Sequence, residues 1–223
     1  MVAATVSMRL RRSTRTHDAY RYKVRAAGAG RRGFLAMVTS SPSVARRWVH
    51  TTLWRGHHRL RHGKPLTVGM GVQWTPPFRR PSTLQLCCGH RCLVFQIAQA
   101  GGGIPNALRR FLRDYPSVEF VGYNVLADCL MLSEHYGLVV SRATELRVLT
   151  GMGRASMEGM AERLLGWSVS KSRKVAMSNW NRRKLSKAQV TYACLDANLS
   201  FCLGVHARRT RQSVLTAMAA GSD

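Results

Sequence analysis

The hydrophobic positions change period along the chain, and each change predicts an element. Residues 19–26 carry a strand-like pattern, Gly28, Gly30 and Gly33 mark a turn, and residues 34–39 read as a second strand. After Ser41-Pro42, Val44, Trp48 and Leu53 fall at helical spacing, which predicts an amphipathic helix over residues 43–56. Leu66–Trp74 is a buried-strand pattern. Residues 82–88 and 92–97 give two more strands around Gly89-His90, so the three read as an antiparallel meander. Over residues 104–115, Leu108, Phe111 and Leu112 share one helix face, while Arg109, Arg110 and Arg113 lie outside it.

The second half alternates. Val118–Gly122 reads as a short strand, residues 126–136 as a helix, 144–146 as a brief strand and Met157–Leu165 as a short helix. Ser186 followed by Gln189 is a capping-box signature, opening a last long helix that the pattern carries to about residue 205. Leading strands followed by alternating helices and strands predict an α/β domain with a mixed β-sheet flanked by helices. We expect one domain over residues 17–208. The basic, acid-free residues 1–16 read as a disordered tail and residues 209–223 as a C-terminal tail.

Composition adds a partner class. The hydrophobic share is 45%, ordinary for a globular protein. There is no run of 18 apolar residues, so no membrane span is expected. Residues 1–10 lack the apolar core and small-residue cleavage site of a secretory leader. The charge is unusual: 35 Lys and Arg against 10 Asp and Glu, a net +25. Such a chain binds polyanions, and nucleic acid is the default partner. A general Arg, Ala and Gly excess gives the same count without selection for binding, yet still yields salt-sensitive association with phosphates. Nucleus or cytoplasm, or both, is the expected location; residues 1–16 also have the composition of an organellar transit peptide, the weaker reading. Nothing in the sequence names a protein partner such as a helicase. Without a secretory leader, the six cysteines at 87, 88, 92, 129, 194 and 202 read as reduced thiols. Cys87, Cys88, His90 and Cys92 lie between two strands, where a hairpin turn explains them better than zinc.

Candidate chemistry gathers at three places. Tyr192 and Asp196 are four apart, so they project from one face of the last helix, where a phenol beside a carboxylate can orient water at a phosphate. Asp128 is placed in the first turn of a helix, beside the carboxyl end of the strand at 118–122, where open α/β sheets place ligands. By itself an Asp there also serves simply to favour the helix start. Arg182, Arg183, Lys184 and Lys187 precede or open the last helix and are candidate phosphate contacts. Trp180 and Trp74 are candidates for stacking on bases, or else core. His50, His57, His58 and His62 read as surface residues.

Four segments in order carry a resemblance: Thr67-Val-Gly-Met-Gly-Val-Gln-Trp74, Thr83-Leu-Gln-Leu-Cys87, Phe120-Val-Gly-Tyr-Asn-Val-Leu-Ala-Asp128, and Ser178-Asn-Trp180 through Tyr192-Ala-Cys-Leu-Asp196. The chain resembles the DEDDy-type 3′–5′ exonucleases, the ribonuclease D-like and Werner-syndrome-like domains, especially of plant type. The resemblance implies a ribonuclease H-like (DnaQ-like) fold and phosphodiester hydrolysis from 3′ ends with two Mg²⁺ or Mn²⁺ ions, about 4 Å apart in such sites. It assigns Asp128 to the second motif and Tyr192 and Asp196 to the third. The first motif, Asp-x-Glu, is Gly71 and Gln73 here. These are two apart on one strand and so share a face. The metals would keep only Asp128 and Asp196 of four carboxylates, leaving about two positive charges uncompensated. The expected outcome is a domain that binds single-stranded or recessed DNA or RNA ends with weak or lost hydrolysis; the alternative is a weak exonuclease using Asp128, Tyr192 and Asp196. A paralogue without a selected role is also compatible with the residues. Glu145 is not expected to replace a missing ligand, and Asp114, Glu119, Glu134, Glu158 and Glu162 read as solvated or capping.

Overall fold

The computed structural model describes residues 5–13, 17–26, 29–101 and 103–220, with side chains described from Phe34 to Met218 apart from residue 102. Eight strands form one mixed sheet: β1 (Thr5–Ser13), β2 (His17–Ala26), β3 (Ala29–Thr39), β4 (Leu66–Trp74), β5 (Pro81–Cys88), β6 (Arg91–Phe95), β7 (Val118–Gly122) and β8 (Ala143–Glu145). Their order is β1-β2-β3-β6-β5-β4-β7-β8. The meander β4-β5-β6 is antiparallel as expected, whereas β3–β6, β4–β7 and β7–β8 pair in parallel. The seven α-helices described are α1 (Pro42–Arg61), α2 (Asn106–Arg113), α3 (Val125–Tyr136), α4 (Leu146–Leu149), α5 (Met157–Leu165), α6 (Arg173–Ala176) and α7 (Lys187–Ala220).

Both faces of the sheet are covered, which is why β5 is buried from Pro81 to Cys87 with no polar alternation. One face packs Trp48 and Val49 of α1, Leu108, Phe111 and Leu112 of α2 and Leu132 of α3 against Leu66, Val68, Leu84, Leu86 and Phe120. Phe111 meets Trp48 and Phe120 edge-on, with ring centroids 6.3 Å and 5.5 Å apart. The other face packs α5 and α7 against Val38, Val94 and Val121. The capping box at the start of α7 is formed: Gln189 N–H donates to Ser186 Oγ at 3.2 Å, and Ser186 N–H donates to Gln189 Oε1 at 2.9 Å. Among the described residues no helix is long and apolar enough to cross a membrane.

Three expectations change. Residues 5–13, part of the tail expected to be disordered, form β1 and pair with β2 from Thr5↔Arg25 to Ser13↔Asp18; residues 1–4 and 14–16 lie outside the described residues. Val6, Met8 and Leu10 alternate with Ser7 and Arg9, a strand period that the basic composition obscures. The last helix does not stop near residue 205 but continues to Ala220, because no Gly or Pro after Gly204 interrupts it before Gly221. Glu119, expected to be solvated or capping, is 4% exposed and forms an ion pair with Arg208 of α7.

Helix α7 reaches the sheet because β4 carries Gly69. A Cβ there would lie 2.0 Å from the Ala197 carbonyl oxygen and 2.4 Å from the Phe201 backbone nitrogen. Neither backbone atom can move without separating helix from strand. Two residues on, a Cβ at Gly71 would meet only Gln85 Oε1 at 3.0 Å, the far end of a side chain, and Asp196 Cβ at 3.9 Å. Gly69→Ala is therefore expected to lower stability by about 3 kcal/mol or more, and Gly71→Ala by less than about 1 kcal/mol. Thermal and denaturant unfolding of the two variants checks the pair; equal stabilities would contradict this packing.

Candidate active site

The close approach of α7 to β4 creates a cavity of about 300 Å³ at the carboxyl end of the central strands. Its lining includes all five positions singled out from the motifs: Gly71 and Gln73 of β4, Asp128 of α3, and Tyr192 and Asp196 of α7. Each arrives for a local reason. Asn124 takes a left-handed conformation (φ 57°) that turns the chain off β7 into α3, placing Asp128 in the first helical turn. Asn124 Oδ1 accepts from Arg147 Nη2 at 2.6 Å. Tyr192 and Asp196 stand on successive turns of α7.

The carboxylates are engaged by the protein itself. Asp196, 7% exposed, accepts from Gln73 Nε2 at 3.0 Å on Oδ2 and pairs through Oδ1 with the ammonium of Lys171. Lys171 Nζ also lies 4.0 Å from Glu158 Oε1 and 4.9 Å from the Tyr192 ring centroid. Burial pulls the Lys171 ammonium down, but the Asp196 carboxylate outweighs it and holds the group above the usual lysine range. Burial pushes the Asp196 carboxyl up and Glu158 adds to it, so the group stays above the usual carboxylate range although Lys171 and Gln73 draw it down. We take the pair as charged, since an ammonium and an amide N–H both point at the same carboxylate. Among the described residues no cation stands beside Asp128. Burial first, then the negative charge of Asp196, hold it well above the usual carboxylate range, against the Val72 backbone hydrogen bond. Tyr192 is raised by burial and by Asp196.

These groups do not fit the two-ion site that the motif resemblance implies. Gly71 supplies no donor atom, Gln73 presents its amide nitrogen to Asp196, and both Asp196 oxygens are occupied. Among the described residues no group of three or more His, Cys, Asp and Glu could hold a metal ion. Nor does Glu145 step in: its Oε2 accepts from Val125 N–H at 3.1 Å at the start of α3, and its Oε1 lies 3.3 Å from Arg147 Nε.

Two assignments from sequence change here. Trp180 is 1% exposed, its Nε1 donates to the Ala176 carbonyl at 2.9 Å, and its ring centroid is 5.9 Å from that of Tyr192. It has no free face for a base and instead backs the tyrosine. Glu158 is not simply solvated or capping but faces Lys171. Arg182, Arg183, Lys184 and Lys187 are exposed outside the cavity, on a segment pinned where Gln96 Nε2 donates to the Arg182 and Arg183 carbonyls at 2.9 Å and 3.2 Å. Trp74 is part of the cavity lining. Lys171 is the residue that the sequence reading missed. Cys87 and Cys92 are buried on neighbouring strands with sulfurs 2.6 Å apart, and Gly89 (φ 59°) makes the turn that joins those strands.

A sequence model of the 3′–5′ exonuclease domain family matches residues 80–204, more than half of the chain, starting after the strand that bears Gly71 and Gln73. A 3′–5′ exonuclease of Arabidopsis thaliana is 28% identical over 148 residues, covering 61% of this chain and 50% of that protein. Exonuclease 3′-5′ domain-containing protein 2 of Drosophila melanogaster is 30% identical over 161 residues, covering 69% of this chain and 27% of that protein. The chain thus spans half or less of the length of these relatives. Escherichia coli RNase D, an exoribonuclease involved in structured RNA processing, superposes with a TM-score of 0.59 at 16% identity, over 77% of this chain and 45% of that one, a likeness in fold. The mixed sheet between helix layers is of the ribonuclease H-like α/β type, and the chain belongs to the DEDD-type 3′–5′ exonuclease family.

Proposed function

We propose that this chain is a nucleic-acid-binding member of the exonuclease family in which hydrolysis at 3′ ends is weak or lost. One observation carries the reading: where the motif calls for two carboxylates facing Asp196, the cavity has the bare backbone of Gly71 and the amide of Gln73, and that amide donates to Asp196. An amide nitrogen turned toward the carboxylate is a cation mimic, not a metal ligand. If the loss of each charged ligand costs roughly 4 kcal/mol, the rate falls about a thousandfold for the first, and the second need not add. Binding needs no metal. The net charge of +25 and the exposed Arg182, Arg183, Lys184 and Lys187 outside the cavity suit a phosphate backbone, DNA or RNA, single-stranded or recessed. A second reading, a weak metal-dependent exonuclease, is favoured by one fact: Asp128, Tyr192 and Asp196 still line one cavity.

An end-labelled oligonucleotide with Mg²⁺ or Mn²⁺ separates the two. The expected result is retention of the oligonucleotide, weakening steeply with salt, and no shortening above that of Asp196→Ala. Shortening by the wild type that disappears in Asp196→Ala establishes the second reading instead. A Cβ at Gly71 meets only side-chain atoms, of which Gln85 Oε1 at 3.0 Å must give slightly, so Gly71→Asp with Gln73→Glu is expected to raise cleavage by at least about tenfold.

A buried carboxyl with no cation beside it also affects stability. The folded-state pKa of Asp128 lies above its unfolded value, so its stabilising contribution is full below about pH 4 and is lost as pH rises through the folded pKa. Asp128→Asn removes that loss. It is expected to raise Tm by several degrees at pH 8, with the gain vanishing as the pH approaches 4; a lower Tm at pH 8 contradicts this.

A further inference from the structure

We infer that Lys171 is the resident cation of this cavity: its ammonium takes the place beside Asp196 that a divalent ion would need, and holds the site metal-free. The inference rests on the reading above and deepens it. Four carboxylates and two dications sum to zero, and buried groups cannot carry a large unbalanced charge without heavy desolvation cost. This chain reaches balance differently. It has lost two carboxylates at Gly71 and Gln73, and the negative charge left on Asp196 is met by a single ammonium from its own chain.

The geometry around Lys171 is that of a built site. Its side chain is 12% exposed, and the Asp196 side chain that it meets is 11% exposed. The ammonium points inward from the segment before α6, between Asp196, the Tyr192 ring face and Glu158. Gln73 closes the other Asp196 oxygen. A divalent ion at Asp196 therefore competes with a charged donor on one oxygen and a neutral donor on the other, and gains at Gln73 only an uncharged ligand if the amide turns. The same arrangement supports the fold, since removing Lys171 leaves Asp196 buried without a counter-charge. That is a penalty an added cation could then relieve.

The test follows Mn²⁺ binding by the electron paramagnetic resonance of the free ion. Wild type is expected to show no saturable binding below about 1 mM, the weak range for a site this poor in carboxylates. Lys171→Met, which opens the carboxylate, is expected to bind at least about tenfold tighter, and Mn²⁺ should raise its Tm; Lys171→Arg, which keeps the charge, is expected to stay as weak as wild type. Binding by Lys171→Met no tighter than wild type overturns the inference. Reductive methylation of the native wild type gives an answer that does not depend on a variant folding. Lys171 is expected to remain unmodified with and without Mn²⁺, while the exposed Lys64, Lys174, Lys184 and Lys187 react. Reaction of Lys171 on adding Mn²⁺ means that the ion displaces it and overturns the proposal. Oligonucleotide anisotropy in EDTA, run alongside, tests the binding reading on its own: retained binding with tightly held Mn²⁺ sinks the counter-ion alone.

Discussion

Helix α7 lies so close on β4 that the strand can carry no side chain at Gly69, and that contact sets the terms for everything near it. It brings Asp196 within hydrogen-bonding distance of the half-buried Gln73 and removes the carboxylate from bulk water. A carboxylate placed there must be neutralised, by a proton, a metal or a protein cation. In this chain two carboxyls take different routes. Asp196 is met by Lys171, whereas Asp128 has only a backbone hydrogen bond and its burial, and favours the proton.

From that constraint the functional account follows as a matter of charge. The fold keeps the scaffold of the exonuclease family: the mixed sheet, Asp128 at the start of α3, and Tyr192 above Asp196 with Trp180 packed behind it. On the proposed reading, what is missing is the pair of carboxylates on β4 that would make a strong dication site. On the same reading, phosphate binding falls to groups outside the cavity, among them the exposed Arg182, Arg183, Lys184 and Lys187. Recognition and hydrolysis depend on different groups, so one can persist while the other fades.

Much of this was legible in the sequence because the signals were local. Leu66–Trp74, Val118–Gly122 and Met157–Leu165 have the bounds that their hydrophobic pattern predicts, and Ser186 with Gln189 marks the start of α7. The motif order also predicted that Gly71, Gln73, Asp128, Tyr192 and Asp196 would share a pocket, and they do. The misses were of two kinds. The alternation of β1 was present but hidden by arginines, and the late stretch of α7 had no stop signal to end it early. Lys171 is a different case. It sits in an aperiodic Ser- and Lys-containing stretch of a chain already crowded with cations, far in sequence from Gln73. Only the tertiary arrangement singles it out, as only burial shows that Trp180 is core.

Charge balance without metal is best read from diffraction. Crystals equilibrated with Mn²⁺ and measured at the manganese absorption edge should show no anomalous peak between Asp128 and Asp196, with the Lys171 ammonium still on Asp196. Two anomalous peaks about 4 Å apart in that cavity, with Lys171 swung out, would contradict the account and restore a two-ion nuclease site.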